Sequence, residues 1–379
     1  MRVAVIADIH LDTRFAKLGR AAALRRENLR KTLERAVALA NEKGADALLV
    51  AGDLYEQERF SADTGRFLAR VFESFSPRPV VIAPGNHDWW GPESLYALTP
   101  WGKNVHIFDA SQPMPFQLED GLWVWGAAHV ASRTDKNFLE GLKVPSSGVH
   151  IGLFHGSEMS RLSNERADDS NKFAHAPFRE ADIERAGLAH LFAGQYHRAS
   201  QSPLCTYPGN PDPLTFGEDR DINPRGVVLA EIHQSGEVEV QAPHDVSVSR
   251  VLSVDVQIQE DSDKSQLLDA VIRCVDDTTG GRVDGSYIKI SLVGRVRGDF
   301  DFDSLDVLIA SQLDSAAAVV VDTEQLTRCA DYADYLEEVS VRGEFVRAVL
   351  RSSELEESIK QKVISVGIAA LEGRDDLLQ

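Results

Sequence analysis

Five short polar motifs each close a run of apolar residues: Asp8-Ile9-His10, Gly52-Asp53, Gly85-Asn86-His87-Asp88, His155-Gly156 and Gly194-Gln195-Tyr196-His197. They offer carboxylates, imidazoles and an amide carbonyl, a donor set that suits Mn, Fe or Zn better than Ca or Mg alone. One carboxylate able to bridge, flanked by histidines from separate strands, suits two ions about 3.5–4 Å apart. Such a pair binds a phosphoryl oxygen, activates a water and stabilises the leaving oxygen. Singly, most of these motifs are weak. The Asp8/His10 spacing puts both side chains on one side of a regular strand, but such pairs are common. Gly-Asp is ordinarily a turn, and a lone histidine at a strand end is ordinarily a satisfied structural residue. Gly-Asn-His-Asp is the more specific signal, and the order of all five argues for a site. His106, His129, His150, His175 and His190 lack that context and are read as structural, although His129 also ends a strand-like run.

The elements that must position these residues follow from hydrophobic patterning. The runs RVAVIAD, ALLVAGD, PVVIAPGNH, VHIGLFH and HLFAGQYH have the length and composition of buried strands. Between them, residues 24–43 carry Leu29, Leu33, Ala36, Val37 and Ala40 at helical spacing, with Gly44 as the stop. Residues 61–75 and 179–187 predict shorter helices. Strands alternating with helices imply an α/β layered domain, whose sites lie where the strands end. Residues 156–178 and 203–225 read as loops, the first long enough to suggest function. Residues 250–325 read as a small α+β unit, with RVLSVDVQI and SYIKISLVG as strands around the helix SQLLDAVIRCV. Two helical patterns close the chain. One stripe is Leu336, Val339, Val346, Val349 and Leu350; the other is Leu355, Ile359, Val363, Val366 and Ala370.

The motifs D-x-H, G-D, G-N-H-D, H-G and G-x-x-H, in this order, resemble the calcineurin-like metallophosphoesterases. Within them the chain is most similar to the Mre11/SbcD group of DNA repair nucleases, particularly its shorter YhaO-like bacterial branch. The segment Tyr207-Pro208-Gly209-Asn210-Pro211, followed by LTFGED and the strand GVVLAEI, looks like the family segment that leaves the phosphodiesterase domain. The resemblance is specific over residues 1–235 and looser after 250. It implies an α/β fold, a four-layer β-sandwich flanked by helices over 1–245. An α+β capping domain over 246–328 and a helical partner-binding tail over 329–379 would follow. It implies two divalent metal ions, Mn foremost, with Fe, Zn or Mg as alternatives. Asp8, His10 and His197 would hold the first; Asn86, His155 and residue 195 the second; Asp53 would bridge them. His87 would act near the leaving group as general acid or transition-state stabiliser. The implied function is metal-dependent hydrolysis of DNA in repair or end processing, as exonuclease or also endonuclease, with an SbcC/Rad50-like ABC-type ATPase as partner. One position departs from the pattern: the family closes with G-H-x-H, and this chain has Gln195 where the first of those histidines belongs. Gln195 keeps a DNA-binding scaffold subunit with weakened catalysis in play. Among enzymes the rival is a phosphodiesterase for a small substrate, which would not need a cap or tail.

The chain has 379 residues and a formal charge of −19, of which residues 251–379 contribute −13 and residues 1–250 contribute −6. That distribution argues against a basic DNA-coating protein. It leaves local DNA binding near the N-terminal part open, because bound dications offset negative charge there. Basic residues follow the first motif: Arg14, Arg20, Arg25, Arg26, Arg30, Lys31 and Arg35. They form either a solvated helix face or a phosphate-contacting surface; Arg14, Arg20 and Arg25 are taken as the candidate nucleic-acid contacts. Trp89-Trp90 fits core packing for at least one ring, or stacking on a base. Cys205, Cys274 and Cys329 suggest neither a disulfide framework nor a zinc site, which makes the cytoplasm the default. No apolar run reaches membrane-spanning length, and the apolar start reads as a strand and not a signal peptide. A homodimer is left open.

Overall fold

A strand covered on both faces needs apolar residues at every position, and Val3-Ala4-Val5-Ile6 meets that demand with all four side chains fully buried. Their alternation sorts them. Ala4 and Ile6 join Leu48, Val50, Val80 and Ile82 in one core; Val3 and Val5 join Leu49 and Val81 in another. This is the signature of a sheet between two layers. The computed structural model describes residues 1–161, 173–218, 225–260, 262–297, 300–328, 333–353 and 355–371, and the chain divides into two compact units, Met1–Leu252 and Ser253–Gln379.

In chain order the first unit runs β1 (Arg2–Ile6), α1 (Ala22–Glu42), β2 (Ala47–Val50), α2 (Ala62–Glu73), β3 (Val80–Ile82), α3 (Leu95–Leu98), β4 (Val105–Ile107), β5 (Met114–Glu119), β6 (Leu122–Gly126), β7 (Val149–His155), α4 (Glu180–Ala186), β8 (His190–Gly194), β9 (Ser200–Gln201), β10 (Cys205–Tyr207), β11 (Val228–Ile232) and β12 (Val238–Val240). Two six-stranded sheets result, ordered β12-β11-β1-β2-β3-β4 and β5-β6-β7-β8-β10-β9. The core between them holds Val3, Val5 and Leu49 from the first, and Val124, Ile151, Leu153 and Phe192 from the second. α1 and α2 cover the outer face of the first sheet through Leu29, Leu33, Phe67, Leu68 and Phe72. Burying each such side chain stabilises the fold by about 1.5–3 kcal/mol. α4 covers the second sheet through Ile183 and Ala186, against Phe154 and Leu191. The unit is therefore a four-layer α/β sandwich.

Local signals set the helix limits. α1 gives way to Gly44, which holds φ 65°, and α4 stops at Gly187 with φ 84°. α2 begins where the Ser61 side chain accepts from Thr64 N, a cap worth about 1 kcal/mol. Part of the segment expected as a loop over 203–225 is the fully buried strand β10, paired in parallel with β8. Its residues 219–224, like 162–172 of the other expected loop, lie outside the described residues.

The second unit carries β13 (Val251–Ile258), α5 (Lys264–Thr279), β14 (Tyr287–Val296), α6 (Leu305–Gln312), β15 (Ala318–Asp322), β16 (Leu326–Arg328), α7 (Ala333–Glu337), α8 (Val341–Arg351) and α9 (Glu357–Leu371). α5 starts on a capping box between Asp263 and Gln266. At the C-terminus, Val346 and Val349 of α8 pack on Ile364 and Ile368 of α9. The stripe expected on α9 is thus displaced: Ile359, Val363 and Val366 are exposed, and the adjacent face is buried. No helix among the described residues is long and apolar enough to cross a membrane.

Candidate metal centre

The motifs gather where the central strands end. β1 stops at Ile6, β2 at Val50 and β3 at Ile82, while His155 closes β7 and Gly194 closes β8. Asp8, His10, Asp53, Asn86, His155, Gln195 and His197 all come from the turns and strand ends at this edge. The backbone there is not regular strand. Asp8, His10 and Asp53 hold φ of 55°, 52° and 50°, and Gln195 holds φ 120°. The one-sided strand geometry expected for Asp8-Ile9-His10 is therefore replaced by left-handed turns. Left-handed backbone outside glycine costs roughly 1–3 kcal/mol per residue, so the surrounding fold must impose it. Asp8 N donates to Gly52 O at 3.0 Å and His10 N to Asp53 O at 2.9 Å, which locks the first two motif loops together.

Two glycines are required by close approach. A Cβ on Gly85 would collide with the Asp53 carboxylate, and one on Gly194 with the Ala51 carbonyl. Asp88, the last residue of its motif, accepts from Asp53 N (3.1 Å), Leu54 N (2.7 Å), Gly85 N (2.6 Å) and Tyr96 Oη (2.5 Å). Burial, with Asp53 nearby, pushes its pKa up to about 6. Asp88 thus ties the second and third motifs to each other.

Three donor groups form, each with ligand atoms within 4.8 Å of one another: Asp8, His10 and His197; His10, Asp53 and His87; Asp8, Asp53 and His155. Asp53 occupies the middle. Its Oδ1 accepts from His87 N at 2.8 Å, and its Oδ2 lies 3.6 Å from His10 Nε2 and 3.3 Å from His155 Nε2. The Asn86 carbonyl oxygen lies 3.1 Å from His155 Nε2. The Gln195 backbone N–H donates to Asp8 Oδ1 at 3.1 Å.

Each ring is tied at its other nitrogen. His10 Nδ1 is 2.8 Å from Glu56 Oε1, His197 Nδ1 is 3.0 Å from Glu218 Oε1, and His155 Nδ1 is 2.8 Å from the Ala51 carbonyl oxygen. Ionised carboxylates and carbonyls only accept, so in each neutral ring Nδ1 carries the hydrogen and Nε2 presents a lone pair. That is the usual arrangement behind a metal-ligating imidazole. His10 Nε2 and the Gln195 side-chain oxygen are buried without a hydrogen-bond partner among the described residues. Lone pairs on His10 and His155 facing one carboxylate oxygen repel it unless a proton or a cation lies between. The donor set therefore fits divalent metal.

Without metal, protons take that place. Burial disfavours a charged His155, but Asp53 and Asp8 outweigh it and raise its pKa to about 10. Burial opposes charge on His87 as well, and the Glu56 and Asp53 carboxylates raise it to about 9. His197 is raised by Glu218 in the same way, against burial. Burial acts to raise Asp53, but His155, His10 and His87 together hold it well below its usual value.

His87 Nδ1 lies 3.0 Å from Glu56 Oε2, and its ring stands 4.8 Å from that of His10. One carboxylate thus orients both rings, one oxygen for each. Sequence patterning singles out neither Glu56 nor Glu218, although Glu218 belongs to the LTFGED segment. Glu218 is fixed by Leu214 N (3.0 Å), Asn210 and Arg225, so that segment and Tyr207–Pro211 are the frame behind His197.

Of the histidines read as structural, His129 stands nearest. Its Nε2 lies 2.7 Å from the His155 carbonyl oxygen and its ring is edge-on to His155 at 5.6 Å, so it supports that strand end. His106 stacks on Phe116, His150 receives the Trp125 indole N–H, and His190 meets Thr206. Trp90 packs on the first core. Among the basic residues, Arg14 and Arg20 are exposed. Arg25 must be corrected: it is 1% exposed, pairs with Asp212 at 2.6 Å and donates to Ser249 Oγ at 2.7 Å, which holds α1 to the chain leaving the domain and leaves nothing for nucleic acid.

Residues 1–185 match the profile of the calcineurin-like phosphoesterase family. The chain contains a calcineurin-like metallophosphoesterase domain. It is 26% identical over 305 residues to the uncharacterised metallophosphoesterase YhaO of Bacillus subtilis (strain 168), covering 76% of this chain and 70% of that protein. It is 29% identical over 279 residues to the DNA double-strand break repair protein Mre11 of Methanopyrus kandleri, covering 67% of this chain and 59% of that protein. The chain thus spans less than two thirds of the second relative. The crystal structure of TT1561 of Thermus thermophilus aligns with 64% of this chain and 98% of its own, at 15% identity and a TM-score of 0.36. The family matched over residues 1–185 is one of metal-dependent hydrolases acting on phosphoesters.

Proposed function

We propose that this metallophosphoesterase hydrolyses phosphodiester bonds of DNA with two divalent ions, Mn foremost among Mn, Fe and Zn. The observation that carries the two-ion reading is the position of Asp53 Oδ2, 3.6 Å from His10 Nε2 and 3.3 Å from His155 Nε2. Asp8, His10 and His197 would hold one ion, Asn86, His155 and Gln195 the other, and Asp53 both. When bound, the ions supply Lewis acidity and a nucleophile at neutral pH. The chain does the rest. Glu56, Glu218 and the Ala51 carbonyl orient the imidazoles, and His87, held at Nδ1 by Glu56, keeps Nε2 for the leaving oxygen. The Glu56 carboxylate behind Nδ1 favours the protonated ring, which suits His87 to donate a proton there.

For DNA as substrate, the support is the relative named as a double-strand break repair protein together with two exposed arginines. Arg14 and Arg198 follow His10 and His197 closely in the chain and are solvent-exposed. They suit phosphates either side of the reacting one. A Mn-supplemented assay on linear and hairpin DNA beside bis-p-nitrophenyl phosphate tests the reading. Cleavage of all three is expected. Hydrolysis of the nitrophenyl ester alone means a small-substrate enzyme; metal binding with no turnover means a DNA-binding scaffold, which Gln195 favours.

The outward Ile359, Val363 and Val366 of α9 suit the coiled coil of an SbcC/Rad50-like ATPase. Deleting residues 330–379 should abolish co-purification with that ATPase while metal binding persists. Retained co-purification would remove the tail as the docking element.

A further inference from the structure

Two loops outside the donor cluster meet at the turn that follows His155. Gly156 is needed there, because a Cβ on it would stand 2.6 Å from the Ala176 carbonyl oxygen. Ser157 N donates to His175 O at 2.8 Å, and Ala176 N donates to Thr134 O at 2.9 Å. The 173–178 segment is thereby fastened to the His155-Gly156 motif on one side and to the Arg133-Thr134 loop on the other. Ala176 holds φ 37°, left-handed backbone that a residue other than glycine adopts only when its surroundings impose it.

The Arg133 guanidinium lies over the Phe173 ring at 4.3 Å. Phe173 is 38% exposed, and Arg133 is exposed too. Phe173 meets His175 edge-on at 4.9 Å; His175 is 6.3 Å from His129, and His129 is 5.6 Å from His155. His175 Nδ1 is buried without a hydrogen-bond partner among the described residues. A water-exposed ring under a planar cation, three ring contacts from His155, is a stacking surface. Every base has a π-face that such a ring accepts, and guanidinium both stacks and reaches phosphate. A base within a duplex is already stacked and paired, so the surface selects a base freed from pairing.

We propose that Phe173, capped by Arg133, is the platform for one unpaired nucleobase beside the scissile phosphodiester of a DNA strand. This rests on the DNA reading above. Stacking of one base on an aromatic ring is worth roughly a five- to hundredfold change in binding. The test compares kcat/KM, with Mn, for a single-stranded oligodeoxythymidylate and for the same strand made abasic at the two nucleotides flanking the cut. The wild-type protein should prefer the base-bearing strand about tenfold. Phe173→Ala should bring that ratio near one, Phe173→Trp should keep it, and Arg133→Ala should lower it. Metal content checks that each variant is folded; if Phe173→Ala does not fold, the Arg133→Ala ratio decides. A wild-type ratio of one, or a ratio unchanged in folded variants, overturns the platform and leaves the DNA reading standing. Failure to cleave either strand, with bis-p-nitrophenyl phosphate still hydrolysed, overturns both.

Discussion

The two halves of the candidate centre are built differently. Behind His10 and His197 stand carboxylates, Glu56 at 2.8 Å and Glu218 at 3.0 Å, whereas behind His155 stands the Ala51 carbonyl. The Asp8 carboxylate lies within ligand distance of both His197 and His155; as proposed, the second half would add the amide oxygens of Asn86 and Gln195. A carboxylate behind an imidazole raises its basicity and fixes its ring, and imidazole is a better donor to borderline ions than an amide oxygen. On the proposed two-ion reading the first position would keep its ion and the second would hold one less firmly, with the Asp53 carboxylate between His10 and His155 placed to serve both.

Removing what the halves share should have the largest effect. Asp53→Ala should lower metal content at both positions. Several kcal/mol of Lewis-acid stabilisation should go with it, about 10³-fold or more in turnover. Metal analysis showing unchanged content would remove Asp53 as the bridge. His87→Ala should cost about 10²–10⁴-fold in turnover and keep both ions; lost metal would move His87 into the ligand set. To weaken one half alone, Glu218→Gln should reduce affinity at the first position about 10–100-fold and leave the second unchanged, as read by Mn titration. To make the halves alike, Gln195→His should tighten the second position on the order of tenfold, the change that ~1.4 kcal/mol gives. Residue 195 already holds φ 120°, so the exchange adds no new backbone strain. Equal or weaker affinity would mean that Gln195 is matched to its neighbours. The mildest effect is in protons. With His155 raised to about 10 and His87 to about 9 in the metal-free protein, both rings are protonated at neutral pH. A cation must displace the proton at least from His155, so metal affinity should rise with pH. Calorimetry in buffers of different ionisation enthalpy should show proton release, and an enthalpy independent of buffer would contradict it.

The same contrast explains what can be read in the sequence. The donors are legible because each ends a strand buried on both faces, which leaves an unbroken apolar run followed by a polar residue. Glu56 and Glu218 are not, because their role depends on the reach of a side chain from an adjacent loop, and Glu-rich loops are common in a chain this acidic. The left-handed turns at Asp8 and His10 leave no mark in composition, so patterning points there to regular strand, which the structure does not form. Arg25 carries a usable signal. It precedes Leu29 by one helical repeat and Leu33 by two, on the buried face of α1, but its partner Asp212 is too distant in the chain for any local pattern to link them. On α9 apolar residues occupy two neighbouring faces, and periodicity alone does not say which will meet α8.

Whether the two positions are unequal is measured directly by titrating Mn into metal-free protein. Calorimetry should resolve two binding events per chain, the first tighter than the second by about tenfold or more, and both should disappear together in Asp53→Ala. A single event, two events of equal affinity, or two events that survive loss of Asp53 would contradict it.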